Sequence, residues 1–191
     1  MSDLARRLKQ DLEPVLGLAD PRERISSYHD MPYALFRYDP EDEFELRREV
    51  ADLKNRLEQK AKVVTPISLA ECLEEALLTQ HTPREWYEAE RDQGAATIVE
   101  TVHAALSDDP LLVNLVVARM PKTPDPRRDI VFIFRTGSLF PMYRVSALLE
   151  QAKGQLLVPT VLFYPGTLDG TVGLKFMGVL DADPNYRPKI F

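Results

Sequence analysis

Residues 130 to 134, Ile-Val-Phe-Ile-Phe, form an apolar run with no polar residue at alternate positions. A strand with one wet face alternates, so a strand without alternation is covered on both faces, which is the situation inside a parallel sheet. The run is also far shorter than the roughly 20 residues of a membrane-spanning helix. A second run, VPTVLFYPG, stops at Pro165-Gly166. Between the two, PMYRVSALLEQAKG reads as a helix that starts at Pro141 and ends at Gly154. TLDG then makes a turn, and TVGLKFMGVL reads as a third strand whose glycines point to an edge or a bulge. Strands alternating with helices predict an α/β fold, a mostly parallel central sheet flanked by helices, with P-loop-NTPase-like or Rossmann-like topology but without nucleotide motifs.

The N-terminal two thirds extend the pattern. Leu4, Leu8, Leu12 and Leu16 recur at helical spacing within an N-terminal helical segment, residues 1–28. Ala34, Leu35, Phe36 and Tyr38 mark the first core strand. Asp39 and Pro40 suit the cap and first position of a helix over 41–59, with Phe44, Val50, Leu53 and Leu57 as its apolar stripe. KVVTPISL is a second strand, and Ser68, three residues before Glu71, caps the helix after it. Thr82 with Glu85 repeats that signal and opens a helix over 83–106, with Trp86, Ile98, Val102 and Leu106 on its buried side. Residues 107–120 stay open, because the mostly apolar stretch LLVNLVVARM fits either a strand or a buried helix and its period does not decide. MPKTPDPRRD is a loop. The organisation expected is one α/β domain over 1–191, closed by a tail over 181–191.

Composition narrows the function classes. A chain of 191 residues, 45% of them hydrophobic, can build one sizeable core. A net charge of -6 and a pI of about 5.2 disfavour bulk attraction to nucleic acid, although a local basic patch stays open. The single cysteine, Cys72, permits no intrachain disulfide and suits a reducing compartment. With no signal-peptide pattern and no apolar span, the expected location is cytoplasmic.

The chemistry-bearing motifs are sparse. RTGSLFPMYR, residues 135–144, leaves a core strand where α/β folds bind ligands. It has one glycine and no lysine, so it matches neither GxxxxGK[ST] nor GxGxxG. Its plainest reading is a turn that needs Gly137 for its backbone and places Arg135 in an ion pair. His29, His81 and His103 lack ligand spacing, and Asp181 and Asp183 lie in a polar tail, so no metal and no cofactor is expected. Cys72 reads as a small buried hydrophobe. The carboxylates of 41–59 alternate with basic residues, as on a solvated helix face. Arg127, Arg128, Arg135, Arg144 and Lys175 are the candidates for a nucleic-acid-binding face, against ordinary scatter of charge around a sheet.

IVFIFRTGSLFPMYRVSALLEQ, VPTVLFYPGTLDGTVGLKFMGVLD, the final NYRPKIF and, nearer the N-terminus, PYALFRYDPEDEFELRREV together resemble the BrxB family of BREX bacteriophage-exclusion systems. The resemblance covers most of the chain and is sharpest from 130 to 191. It implies an accessory or adaptor component of a multi-gene phage-defence system that also carries a DNA methyltransferase, a large ATPase and a PglZ-like protein of the alkaline-phosphatase type. The PglZ-like protein is the partner it implies first. The family offers no catalytic residue to carry over, so the expectation is a non-enzymatic protein. The alternative is a nucleic-acid- or nucleotide-binding protein of the same system. Arg and Tyr are enriched at interface hot spots. Arg135, Tyr143, Arg144, Tyr186, Arg187 and Phe191 are therefore the candidate partner contacts. Ile190 and Phe191 are costly to leave in water, so the tail is expected to dock on its own sheet or insert into a partner.

Overall fold

The computed structural model describes residues 2–26, 32–108, 111–170, 173–180 and 189–191. Its centre is a sheet ordered β2-β3-β4-β1-β6. The strands are β1 (Tyr33–Tyr38), β2 (Val63–Ser68), β3 (Asp129–Phe134), β4 (Thr160–Asp169) and β6 (Lys189–Ile190), and every neighbouring pair along this order is parallel. A short β5 (Gly173–Phe176) pairs antiparallel with the far half of β4. The fold is thus α/β with a mostly parallel central sheet flanked by helices. Within the stretch read as the third strand, Gly173–Phe176 is an edge strand, as its glycines suggested, but it doubles back on β4. β1 and β2 are separated by two strands, whereas they are neighbours in the dinucleotide-binding doubly wound sheet.

Each inner strand buries both faces. Val131, Ile133, Leu162 and Tyr164 point into one cluster, and Ile130, Phe132, Val161 and Phe163 into the other. The second cluster is covered by the N-terminal helices and by α4 (Glu43–Glu58). The first is covered by α5 (Leu69–Leu78), α7 (Ala95–Asp108), α8 (Leu111–Ala118) and α9 (Val145–Gln151).

The N-terminal rod is α1 (Asp3–Arg7), a π-helical stretch (Leu8–Leu12) and α2 (Glu13–Leu16), followed by α3 (Arg22–Ile25). Pro14 has no amide hydrogen to continue an α-helical ladder, and the chain widens just before it, with Glu13 N donating to Leu8 O. Leu4, Leu8, Leu12 and Leu16 are all buried, as their spacing predicted. Glu13 is 7% exposed and joins this rod to α4, accepting from Arg56 Nε at 2.7 Å and Lys60 Nζ at 2.8 Å.

Several sequence expectations need correction. The 83–106 helix is two helices, α6 (Pro83–Gln93) and α7, broken at Gly94, whose φ of +86° a side chain would strain. Residues 111–118 are helix, and Leu112, Val113 and Val116 are buried. The helix after β3 starts at Val145 and not at Pro141. A 3-10 turn (Thr136–Leu139) and a cis Phe140–Pro141 bond come first. On α4 the buried stripe is Leu46, Val50, Leu53 and Leu57. Phe44 is 80% exposed, since two residues before Leu46 is about 200° around the helix, and the Arg47 guanidinium covers its ring at 5.2 Å. The caps are as read. Asp39 accepts from Glu41 N at 3.1 Å, Ser68 from Glu71 N at 3.4 Å, and Thr82 and Glu85 form a complete capping box.

Two predictions follow from this packing. Burial pushes the Glu13 carboxyl up, but the hydrogen bonds from Lys60 and Arg56 outweigh it and hold the group below its ordinary value. The stability it contributes is therefore full above the ordinary carboxylate range and is lost as pH falls through the lower folded value. Urea unfolding at neutral pH should show E13Q less stable by about 1–2 kcal/mol, with the gap to wild type closing on acidification. A gap independent of pH would contradict the assignment. At Gly166 an added Cβ would lie 2.2 Å from the Lys175 carbonyl oxygen and 2.9 Å from the Tyr164 ring. G166A should lower the melting temperature by about 4 °C or more, and an unchanged value would mean that β4 and β5 approach less closely.

Candidate functional site

Parallel strands end on the same side, so the turns after β1 and β3 converge beside Pro165, where β4 leaves its pairing with β1. They enclose a crevice of about 220 Å³ walled by Pro40, Glu43, Arg47, Arg135, Ser138 and Pro165, with Gly137 and Met177 completing it. From β1 the chain passes through α4 to β2 at one edge of the sheet, whereas the strand that follows β4 and its hairpin, β6, lies at the other edge. The crevice therefore sits at a switch point of the strand order, the place where open α/β sheets bind ligands.

Its charges are unequally satisfied. The Tyr38 hydroxyl donates to Glu43 Oε2, and Arg47 Nε donates to Glu43 Oε1 at 2.8 Å. Burial, then the bond to Glu43, holds the Tyr38 hydroxyl far above its ordinary pKa. Arg47 is thus balanced by a carboxylate. Arg135 is not. It adopts left-handed backbone angles (φ 57°, ψ 36°), and its carbonyl accepts from Ser138 N at 3.2 Å and Ser138 Oγ at 2.8 Å. Its Nε is shielded from solvent and has no hydrogen-bond partner among the described residues. The ion pair expected for Arg135 does not form among the described residues. The turn's unusual backbone also falls on Arg135 rather than Gly137. A Cβ added at Gly137 would lie 3.4 Å from Met177 Sδ and 3.6 Å from Pro165 Cγ, which are ordinary contacts, so neither the backbone nor the space requires glycine there.

The other sequence-selected residues scatter. Tyr143, read as a surface contact, is 1% exposed, and its hydroxyl lies 3.3 Å from Gln151 Oε1. Burial raises its pKa, and it is a core residue. Arg144 is exposed at the start of α9. Tyr186 and Arg187 lie outside the described residues, as do His29, Asp181 and Asp183. Phe191 docks on its own sheet. Its amide donates to Leu35 O at 2.8 Å, its carbonyl accepts from Arg37 N at 3.0 Å and Arg7 Nη2 at 2.7 Å, and its ring packs against the core beside Lys189. Of the five basic candidates, Arg127 and Arg128 precede β3 and Arg135 follows it, so the strand holds them about 20 Å apart at opposite ends of the sheet. Lys175 faces Asp169 at 3.4 Å. These residues do not share one face.

One surface was not anticipated. Between α5, α6 and α7 runs an apolar groove of about 390 Å³, lined by Leu73, Leu77, Leu78, Trp86, Tyr87 and Ile98, with Ser138 and Met142 at its side. Trp86 Nε1 donates to Leu77 O at 3.2 Å and meets His81 edge-on, which fixes the groove's wall. Leu78 is 49% and Tyr87 72% exposed. The signal in the sequence was two adjacent apolar pairs, Leu77-Leu78 and Trp86-Tyr87. A helix that packs with one member of such a pair turns the other about 100° away. Among the described residues no group of three or more His, Cys, Asp or Glu could hold a metal ion, and burial raises the Cys72 thiol pKa. No helix among them is long and apolar enough to cross a membrane.

The sequence profile of the family described as BREX protein BrxB matches residues 65–190. The BREX protein BrxB of Bacillus cereus is 27% identical over 190 residues, a span that covers 95% of this chain and 96% of that protein. No solved structure matches the chain. The matched residues begin inside β2 and run through the crevice turn and the groove to β6, and the chain belongs to the BrxB family of BREX bacteriophage-defence systems.

Proposed function

We propose that this protein is a non-catalytic adaptor of a BREX phage-defence assembly, cytoplasmic like the phage DNA such a system meets, and that it binds a larger component, the PglZ-like phosphatase-fold protein. The observation that carries the reading is the groove between α5 and α6. It presents a partly exposed Leu78 and a largely exposed Tyr87 beside Trp86 and Leu77. Interfaces draw most of their affinity from a few such aromatic and aliphatic groups that lose water on docking. The α5 wall is anchored in the core through Leu69, Cys72, Leu73 and Ala76, and α6 is held by its capping box and by the Trp86 Nε1 bond to Leu77 O.

The alternative, nucleic-acid or nucleotide binding, has less support. Arg127 and Arg128 are separated from Arg135 by the length of β3, and the carbonyl of Arg127 is tied to Lys62 at 2.6 Å. A duplex lying along one end of the sheet would meet only part of the basic set.

Light scattering after size-exclusion chromatography tests the adaptor reading. The chain mixed with the PglZ-like protein of its own operon should elute as one joint peak. The double variant L78S/Y87A should weaken that complex by roughly 30-fold or more, with a melting temperature within about 2 °C of wild type because both side chains are exposed. A joint peak unaffected by the double variant would remove the groove from the account, and a shift with duplex DNA in place of the protein would favour the alternative.

A further inference from the structure

We infer that the switch-point crevice is a binding site for a small oxyanion, the carboxylate or phosphate group of a ligand, held by Arg135. Three independent features of the crevice converge on this. It lies at the C-terminal ends of β1 and β3 and at Pro165, where the parallel half of β4 ends, beside the point where the strand order reverses. Arg135, which lines it, keeps a solvent-shielded Nε–H without an acceptor among the described residues, and buried donors are left unpaired so rarely that each one asks for a reason. The charges of the crevice also leave one positive unit over. Glu43 is matched by Arg47, and no carboxylate among the described residues reaches Arg135.

The chemistry selects the ligand class. A guanidinium offers paired donors in a plane that fit two oxygens of one carboxylate or phosphate. A neutral hydroxyl or amide would supply an acceptor but not balance the charge. The volume, about 220 Å³, admits such a group with a small attachment and is too small for a dinucleotide. Glu43 fixes the opposite wall through Tyr38 and Arg47, so it would turn away a second negative charge. A singly charged group is therefore preferred over a densely charged one such as a triphosphate. The inference does not depend on the adaptor reading, because the groove and the crevice share only Ser138.

The test is a titration of the chain labelled with 15N-arginine, in which Nε–Hε resonances are followed at constant ionic strength with acetate, inorganic phosphate and chloride as probes. The resonance missing from R135K identifies Arg135. It should move saturably with acetate or phosphate at millimolar concentration and not with chloride, and the stronger of the two names the ligand chemistry. The exposed Arg144 resonance should move little. Thermal melting provides a second readout, in which the preferred anion raises the midpoint of wild type and R135Q loses that rise. If the Arg135 signal shifts no more than that of Arg144 at about 50 mM anion, an affinity too weak for a site, or if R135Q keeps the full thermal response, the crevice is not an anion site.

Discussion

The parallel ladder between β1 and β4, from Tyr33 opposite Thr160 to Tyr38 opposite Pro165, joins segments more than a hundred residues apart. The rest of the molecule depends on it. It carries β6 and Phe191 on the free side of β1 and β3 on the free side of β4. It also brings the turn at Pro40 level with Pro165, inside β4, which makes the crevice. The ladder is secured by aromatic packing on both faces. On the α4 side Phe163 meets Phe132 edge to face at 5.4 Å and Phe36 at a tilt at 5.8 Å, and Tyr164 meets Phe176 on the other. Such contacts add to area burial because ring edges and faces carry opposite partial charge.

Much of the fold could be read from local chemistry because local chemistry decides it. Strands buried on both faces lack alternation, and β3 and the parallel half of β4 were legible for that reason, whereas TLDG, read as a turn, carries β4 on to Asp169. The caps at Asp39, Ser68 and Thr82 were legible because a side chain and an amide two or three residues away settle them. What could not be read was set by packing. Leu111–Ala118 has no polar face, so its period is silent. Gly94 lies between two good helix-forming stretches, and only the geometry shows that the chain turns there. Tyr143 sits in a mixed sequence, PMYR, that reads as surface, yet the approach of α9 covers it.

The candidate site was only partly legible for a related reason. Arg135 could be singled out because it follows a core strand. Its meaning came from partners that never appear near it in sequence. Glu43 and Arg47 come from α4, Pro165 from β4, and Met177 from the end of the β5 hairpin, and the strand order alone assembles them. The segment after β3 thus has a double position. Ser138 borders the crevice, where its hydroxyl is held by the Arg135 carbonyl, and it also borders the apolar groove. The same short turn holds one surface suited to a charged group and supports another suited to a protein.

Hydrogen–deuterium exchange, comparing the chain alone with the chain bound to the PglZ-like protein, is the most direct test of the adaptor account. Exchange reports loss of backbone opening where a partner docks. Binding should slow exchange most in α5 and α6, residues 69–93, and leave the α1–α4 side unchanged. Protection centred on the N-terminal helices, or none in α5 and α6 despite a stable complex, would contradict the account.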